Sequence, residues 1–296
     1  MSFSYATVID TIQLTPRLRR ITLQVDDPEA LQIKLGGDSA VGVYFPIVGR
    51  DGRRMPPPTV AGAHGGHYVD PHSGSEGRTY TVRAHTEVDG ADRIDLDVVL
   101  HTRGPGTAWA TVTGPGDRVG LDHARAWYRP EPSSDWQLLV TDLSGLPAAA
   151  RIISELPGGV PVIAIVEVAE PEDLEYLPPH PDVTVVSSVG TGNGYAPSRL
   201  AQLVGELPLP DGRGYCWFAA EAAESRAVRK HLRGNGWTIE QLDVAGYWRF
   251  DSESWDARFA LVADDVVAVW ERAVADGKGE RVADEEFDEA LERAGL

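Results

Sequence analysis

Two short stretches carry side chains that could hold an anionic, planar ligand. The first is Arg78-Thr79-Tyr80-Thr81-Val82-Arg83, a period-2 run. An arginine fork pairs with a phosphate, a tyrosine ring stacks on a flat heterocycle and a threonine hydroxyl bonds its edge. Alternation sets Arg78 and Tyr80 on one face and Thr79, Thr81 and Arg83 on the other, unless a bulge re-aims one of them. The second is Gly104-Pro105-Gly106-Thr107-Ala108-Trp109-Ala110, which follows a strand ending at His101. A glycine-rich turn that opens a helix offers unpaired backbone N–H groups and a positive dipole end, the physical requirements for a pyrophosphate.

The elements that must position them change character once along the chain. From Phe3 to His123, period-2 runs such as Arg20–Val25, Val41–Phe45, Thr79–Arg83, Arg93–Leu100 and Asp117–Leu121 are separated by turn residues without a long helix, which predicts a small antiparallel barrel of about six strands. Within it, Gly49–Gly77 is rich in Gly, Pro and His and reads as a surface loop. Beyond the linker Arg129-Pro130-Glu131-Pro132-Ser133-Ser134, apolar runs at Gln137–Val140, Val162–Val166, Val183–Val186 and Tyr215–Phe218 alternate with helical stretches at Ala148–Leu156, Pro197–Leu207 and Glu224–Leu232. That alternation predicts a parallel sheet covered on both faces, with ligands beyond the carboxyl ends of its strands. Trp255–Leu296 is acidic with helical spacing and reads as two helices whose acidic residues face solvent. The expected domains are a barrel over residues 1–128, an α/β domain over 135–251 and a helical extension over 252–296.

Composition narrows the partners. With 27 basic and 45 acidic side chains among 296 residues, the chain carries a formal charge of −18. A field of that sign repels nucleic acid and anionic lipid, so an anionic ligand must find a local basic pocket. No signal-peptide pattern opens the sequence and no run approaches a membrane span, so a cytoplasmic protein without membrane insertion is expected. The single cysteine, Cys216, lies in an apolar run and reads as a core thiol. His64, His67 and His72 lack a fixed carboxylate or cysteine companion, and no metal site is expected there.

Together these residues resemble the siderophore-interacting protein family, FAD-dependent ferric-siderophore reductases of the ferredoxin-reductase-like superfamily. The resemblance rests on Arg78–Arg83, on Leu100-His101 followed by Gly104-Pro105 and Trp109-Ala110, on Pro115-Gly116-Asp117, on Leu146-Pro147-Ala148, on Trp217–Arg233 and on Tyr247-Trp248-Arg249. It implies that Arg78 binds FAD phosphates, Tyr80 stacks on the isoalloxazine and Thr81 bonds its edge near N5. Arg83 and His101 would support the cofactor. Gly104, Gly106, Thr107, Ala108 and Trp109 would present donors to the pyrophosphate. Trp248 and Arg249 would come close to the flavin or to the ferric siderophore, with both counted as substrate-binding. No protein side chain is expected to act as a general acid, base or nucleophile, because the cofactor carries the chemistry. The chain departs from the family pattern at Thr141–Gly145 and at Ala219-Ala220-Glu221, where a nicotinamide nucleotide would be received. The expected electron donor is therefore NAD(P)H or reduced ferredoxin. The alternatives are a flavin reductase or electron-transfer flavoprotein with another acceptor, and a non-catalytic flavin- or siderophore-binding protein.

Overall fold

A computed structural model of the chain describes residues 3–33, 36–61, 67–250 and 252–296. His64 lies outside the described residues, as does Asp251. The contacts divide the protein into two compact units. The first comprises residues 1–128 together with 147–156 and 172–179, and the second the remainder from 129 to 296.

The first unit is built on ten strands: β1 (Phe3–Thr15), β2 (Leu18–Val25), β3 (Ala40–Tyr44), β4 (Ile47–Val48), β5 (Arg54–Met55), β6 (Thr59–Ala61), β7 (His67–Val69), β8 (Gly77–Val88), β9 (Ala91–Val99) and β10 (Arg118–Arg125). Six of them close an antiparallel barrel in the order β1-β10-β3-β8-β9-β2. Closure pairs every ladder and removes the exposed edges. The period-2 pattern works as expected: Val8, Ile21, Leu23, Val41, Val43, Val82, Ile94, Leu96, Val119 and Leu121 point inward as one buried cluster. The loop expected over Gly49–Gly77 instead holds parts of two hairpins, β4 with β5 and β6 with β7. Pairs of two or three residues are too short for alternation to register in the sequence. A short helix, α1 (Pro28–Leu31), follows β2, and α2 (Pro105–Val112) lies between β9 and β10.

The second unit carries a five-stranded sheet of β11 (Trp136–Thr141), β12 (Val162–Val168), β13 (Val183–Val189), β14 (Gly214–Glu221) and β15 (Leu242–Trp248), all parallel, in the order β13-β12-β11-β14-β15. The strand β15 went unrecognised in the sequence because Leu242-Asp243-Val244-Ala245-Gly246 is neither a continuous apolar run nor a strict alternation. The helices are α3 (Leu146–Glu155), whose body belongs to the first unit, α4 (Leu200–Glu206) and α5 (Ala222–Gly234). The C-terminal stretch forms three helices, α6 (Ser252–Phe259), α7 (Ala263–Ala275) and α8 (Glu280–Arg293), rather than two. Its acidic side chains are not all solvated: Asp288 pairs with Arg229, and Glu285 takes Arg233 at 3.0 Å. Arg281 reaches the buried Asp243 at 2.7 Å. No helix among the described residues is long and apolar enough to cross a membrane. Cys216 is fully buried, and burial pushes its thiol pKa up.

Candidate functional site

The strand that carries the Arg-Thr-Tyr-Thr motif is β8, paired with β3 from Gly77 to Thr81 and with β9 beyond. A register shift falls between Val82 and Ala84, so strict alternation holds up to Val82 and is re-aimed at Arg83. Tyr80 packs against the barrel core together with Phe45 and Trp109. Phe45 and Trp109 stack at 4.9 Å, and the Tyr80 ring sits 6.1 Å from Trp109 and 6.4 Å from Phe45. Burial raises the Tyr80 phenol pKa, so it stays a neutral hydroxyl donor.

Helix α2 comes against the same tyrosine. Its N-cap, Gly104, has φ +121°, which only glycine adopts readily, and no side chain caps the first turn. A Cβ placed on Gly106 would collide with the Tyr80 hydroxyl, so glycine at 106 is what lets the turn and the ring meet. Thr107 turns its hydroxyl back to accept the His101 backbone N–H at 2.9 Å, joining the end of the barrel strand to the helix. Desolvation lowers the His101 imidazole pKa, which favours the neutral ring. Ala108 is exposed in the first turn, its N–H bonded to the Gly104 carbonyl. Arg78 is exposed, with its guanidinium near Glu76 at 3.6 Å and donating to the Gly77 carbonyl at 2.7 Å.

Three polar atoms here are buried without a hydrogen-bond partner: Thr81 Oγ1, Arg83 Nε and Trp109 Nε1. Thr81 is 7% exposed and Trp109 is 5% exposed. Leaving such a group unmade costs about 1–3 kcal/mol, so each is a point at which a bound ligand would gain by supplying a partner. Arg83 also interacts with the Tyr176 hydroxyl, which donates to Asp97, itself held by Arg20 at 2.7 Å. The structure therefore brings Tyr80, Gly106 and Trp109 into direct contact range, links His101 to Thr107, and places Arg83 in a network with Tyr176. An orphaned hydroxyl, an orphaned indole N–H, an uncapped helix start and an aromatic wall fit a flavin dinucleotide.

In the second unit, a cavity of about 400 Å³ opens at the carboxyl ends of β11, β14 and β15, lined by Asp142, residues 192–198, Glu221, Glu224, Trp248 and Phe250. The strand order reverses between β11 and β14, which is where such sheets open a crevice. Trp248 donates its indole N–H to Asp142 at 2.5 Å, while Ser144 donates both N–H and hydroxyl to the other carboxyl oxygen. Asp142 is 1% exposed, and burial pushes its pKa up to about 6 against the pull of those three hydrogen bonds. Glu221 accepts from the N–H groups of Ala223 and Glu224, and Glu224 accepts from that of Ala201. The starts of α5 and α4 are thus occupied by the chain's own carboxylates. Arg249 stacks on the Trp255 ring at 3.9 Å. Burial, reinforced by the nearby Arg226 charge, lowers its pKa. Sequence reasoning missed the acid at 142 and the turn Gly190-Thr191-Gly192-Asn193-Gly194. The glycine spacing of that turn was the available signal.

Among the described residues no group of histidine, cysteine, aspartate or glutamate could hold a metal ion. His72 is exposed on its turn.

Residues 7–126 match the siderophore-interacting FAD-binding domain, and residues 134–251 match the siderophore-interacting protein domain. The ferric vibriobactin reductase ViuB of Vibrio cholerae is 27% identical over 256 residues, covering 83% of this chain and 90% of that protein. A siderophore utilization protein from T. fusca superposes with a TM-score of 0.68 at 27% identity, over 84% of this chain and 93% of the other. A ferredoxin NADP+ reductase from Neisseria gonorrhoeae shares the fold at a TM-score of 0.54 and 17% identity, over 80% and 92% of the two chains. On these grounds the chain belongs to the siderophore-interacting protein family, flavin-dependent oxidoreductases with an FAD-binding barrel and a ferredoxin-reductase-like fold.

Proposed function

We propose that the protein reduces iron(III) held by a siderophore and so releases it as iron(II). The observation that carries the reading is the Tyr80 ring set against Gly106 at the uncapped start of α2, with the buried, unpartnered Trp109 Nε1 on the same helix. FAD, when bound, would hold the electrons its donor delivers, as a pair from NAD(P)H or singly from ferredoxin, and would give them up one for each iron. Iron(II) holds hard oxygen chelators less tightly than iron(III), so the metal leaves once it is reduced. The protein's own residues bind and orient. Arg78 would pair with phosphate, and the backbone of Gly104, Gly106, Thr107, Ala108 and Trp109 would line the pyrophosphate. Tyr80 would face the ring, Thr81 would bond its edge, and Arg83 and His101 would hold the strand and the turn that carry them. The relationship to a ferric vibriobactin reductase supports this substrate class.

The purified protein is expected to be yellow, to release FAD rather than FMN on denaturation, and to form iron(II) from a ferric siderophore when its flavin is reduced. A colourless protein that flavin does not reconstitute would sink the reading. Arg78→Ala is expected to weaken FAD binding by about 1.5–3 kcal/mol, the worth of a hydrogen bond to a charged group. Fluorescence titration of the apoprotein measures it, and an unchanged affinity would remove Arg78 from the site.

The donor is NAD(P)H or reduced ferredoxin. Self-capping of α4 and α5 by Glu224 and Glu221, with Asp142 beside them, leaves a carboxylate-lined cavity that disfavours a dinucleotide's phosphates and so favours ferredoxin. Rapid mixing of the oxidised flavoprotein with NADH, NADPH and reduced ferredoxin separates the three, and fast reduction by a nucleotide would reverse the preference.

Trp248 and Arg249 are proposed to meet the siderophore, Arg249 with a guanidinium kept charged while resting on Trp255. Against a net charge of −18, a local cation is what an anionic complex needs. Arg249→Ala is expected to slow reduction of an anionic ferric siderophore more than that of a neutral hydroxamate complex, with flavin content unchanged. Equal losses for both substrates would leave Arg249 a structural residue.

A further inference from the structure

The hydrogen bonding of β8 is completed by a side chain from outside the barrel. In an antiparallel hydrogen-bonded pair the two residues exchange both N–H···O bonds. Val82 gives its N–H to the Ser39 carbonyl at 2.7 Å, but Ser39 turns its own N–H to the Gly36 carbonyl at 3.0 Å. The return bond to the Val82 carbonyl is supplied by Arg151 Nη1 at 2.5 Å. The Arg151 side chain is 9% exposed, and its Nε is anchored by Glu155 at 2.7 Å, one helical turn on. The approach is close: a Cβ on Gly37 would collide with Ile152, the neighbour of Arg151 on α3.

Arg151 therefore holds the Val82–Arg83 peptide, one residue beyond Thr81, at the point where β8 leaves β3 and at the register shift. Thr81 is the residue whose hydroxyl is buried without a partner. A threonine has one rotatable bond between backbone and hydroxyl, so the backbone of β8 limits that hydroxyl to a few directions. We propose that Arg151 is a positioning residue for the flavin, fixing β8 so that Thr81 presents its hydroxyl to the ring edge. The proposal rests on the reading of Arg78–Arg83 as the flavin strand. A guanidinium suits the task because it stays charged when buried and bonds a carbonyl and a carboxylate at once from one rigid fork.

The test compares Arg151→Met, Arg151→Lys, Thr81→Ala and the double variant T81A/R151M, reading the FAD dissociation constant, the FAD-induced rise in melting temperature and the flavin midpoint potential. Arg151→Met is expected to raise the dissociation constant at least tenfold, shrink the FAD-induced rise and move the potential. Arg151→Lys should recover part of each. The double variant should be little worse than Thr81→Ala alone, because both substitutions disable one contact. A merely structural Arg151 would lower the melting temperatures of apoprotein and flavoprotein equally and leave affinity and potential as in the parent, which overturns the proposal. Fully additive losses in the double variant also overturn it. If Thr81→Ala changes the flavin but Arg151→Met does not, only the proposal fails. If Thr81→Ala changes nothing, the assignment of Thr81 and the proposal fail together. Should Arg151→Met not fold, Arg151→Gln, which keeps a donor without the reach, carries the same comparison.

Discussion

Gly106→Val is expected to cost the protein most of its flavin affinity. Residue 106 lies in the first turn of α2, where an added Cβ would strike the Tyr80 hydroxyl, and valine adds two further methyl groups. Tyr80 has little room to yield, since its ring packs against Phe45 and Trp109, themselves stacked at 4.9 Å. Either the aromatic wall shifts or the turn that offers N–H groups to the pyrophosphate moves away from it. Overpacking of this kind costs about 1–3 kcal/mol. Placed on binding alone, that is a fall in FAD affinity of roughly five- to 150-fold. Gly114→Ala is the matched control, because a Cβ there meets no neighbour within 4 Å. Titration of both apoproteins with FAD decides the matter. Binding by the valine variant as tight as that of the control would separate the α2 turn from the flavin site.

Asp142→Asn is expected to change how stability depends on pH. The Asp142 carboxyl is pushed up to about 6 in the folded protein, from 3.8 in its ordinary state, with burial as the leading cause. Between those values the folded protein keeps a proton that the unfolded chain has lost, so stability falls as pH rises from about 4 to about 6 and levels off above it. A shift of about two units corresponds to about 3 kcal/mol across the window. The asparagine variant does not titrate and should lack this slope. It also turns an amide N–H₂ toward the Trp248 indole N–H, or breaks the bond from Ser144, so its stability at pH 7 is not simply improved. Urea unfolding of both proteins from pH 4 to pH 8 gives the difference curve. An identical slope in the two would assign the titration to another acid with a raised pKa, such as Asp284.

The barrel was legible because its signal is local. Alternation in Arg20–Val25 and Arg93–Leu100 already states which side chains go inside, and Val82, Ile94 and Leu96 are buried as that pattern requires. The four continuous apolar runs after residue 134 likewise announced the strands of a parallel sheet. The motif residues Arg78, Tyr80, Thr81 and the Gly104–Trp109 turn could be picked out by type and spacing, since a phosphate fork, a stacking ring and a glycine-rich helix start are short-range features.

Other features depended on partners far away in the chain. Arg151 is an ordinary helical arginine until Ser39, 112 positions earlier, turns its N–H elsewhere and leaves the Val82 carbonyl open. Asp142 gains its raised pKa only from burial beside Trp248, 106 residues on. The strand β15 exists because β14 offers it a ladder and α5 packs against it, with Arg281 of α8 reaching Asp243, and none of this is written in Leu242–Trp248 itself. By itself the sequence determined the periodicity of the elements and the chemical types in the motif. Tertiary structure alone decided which buried polar atoms find a partner, because that depends on long-range contacts that no local pattern encodes.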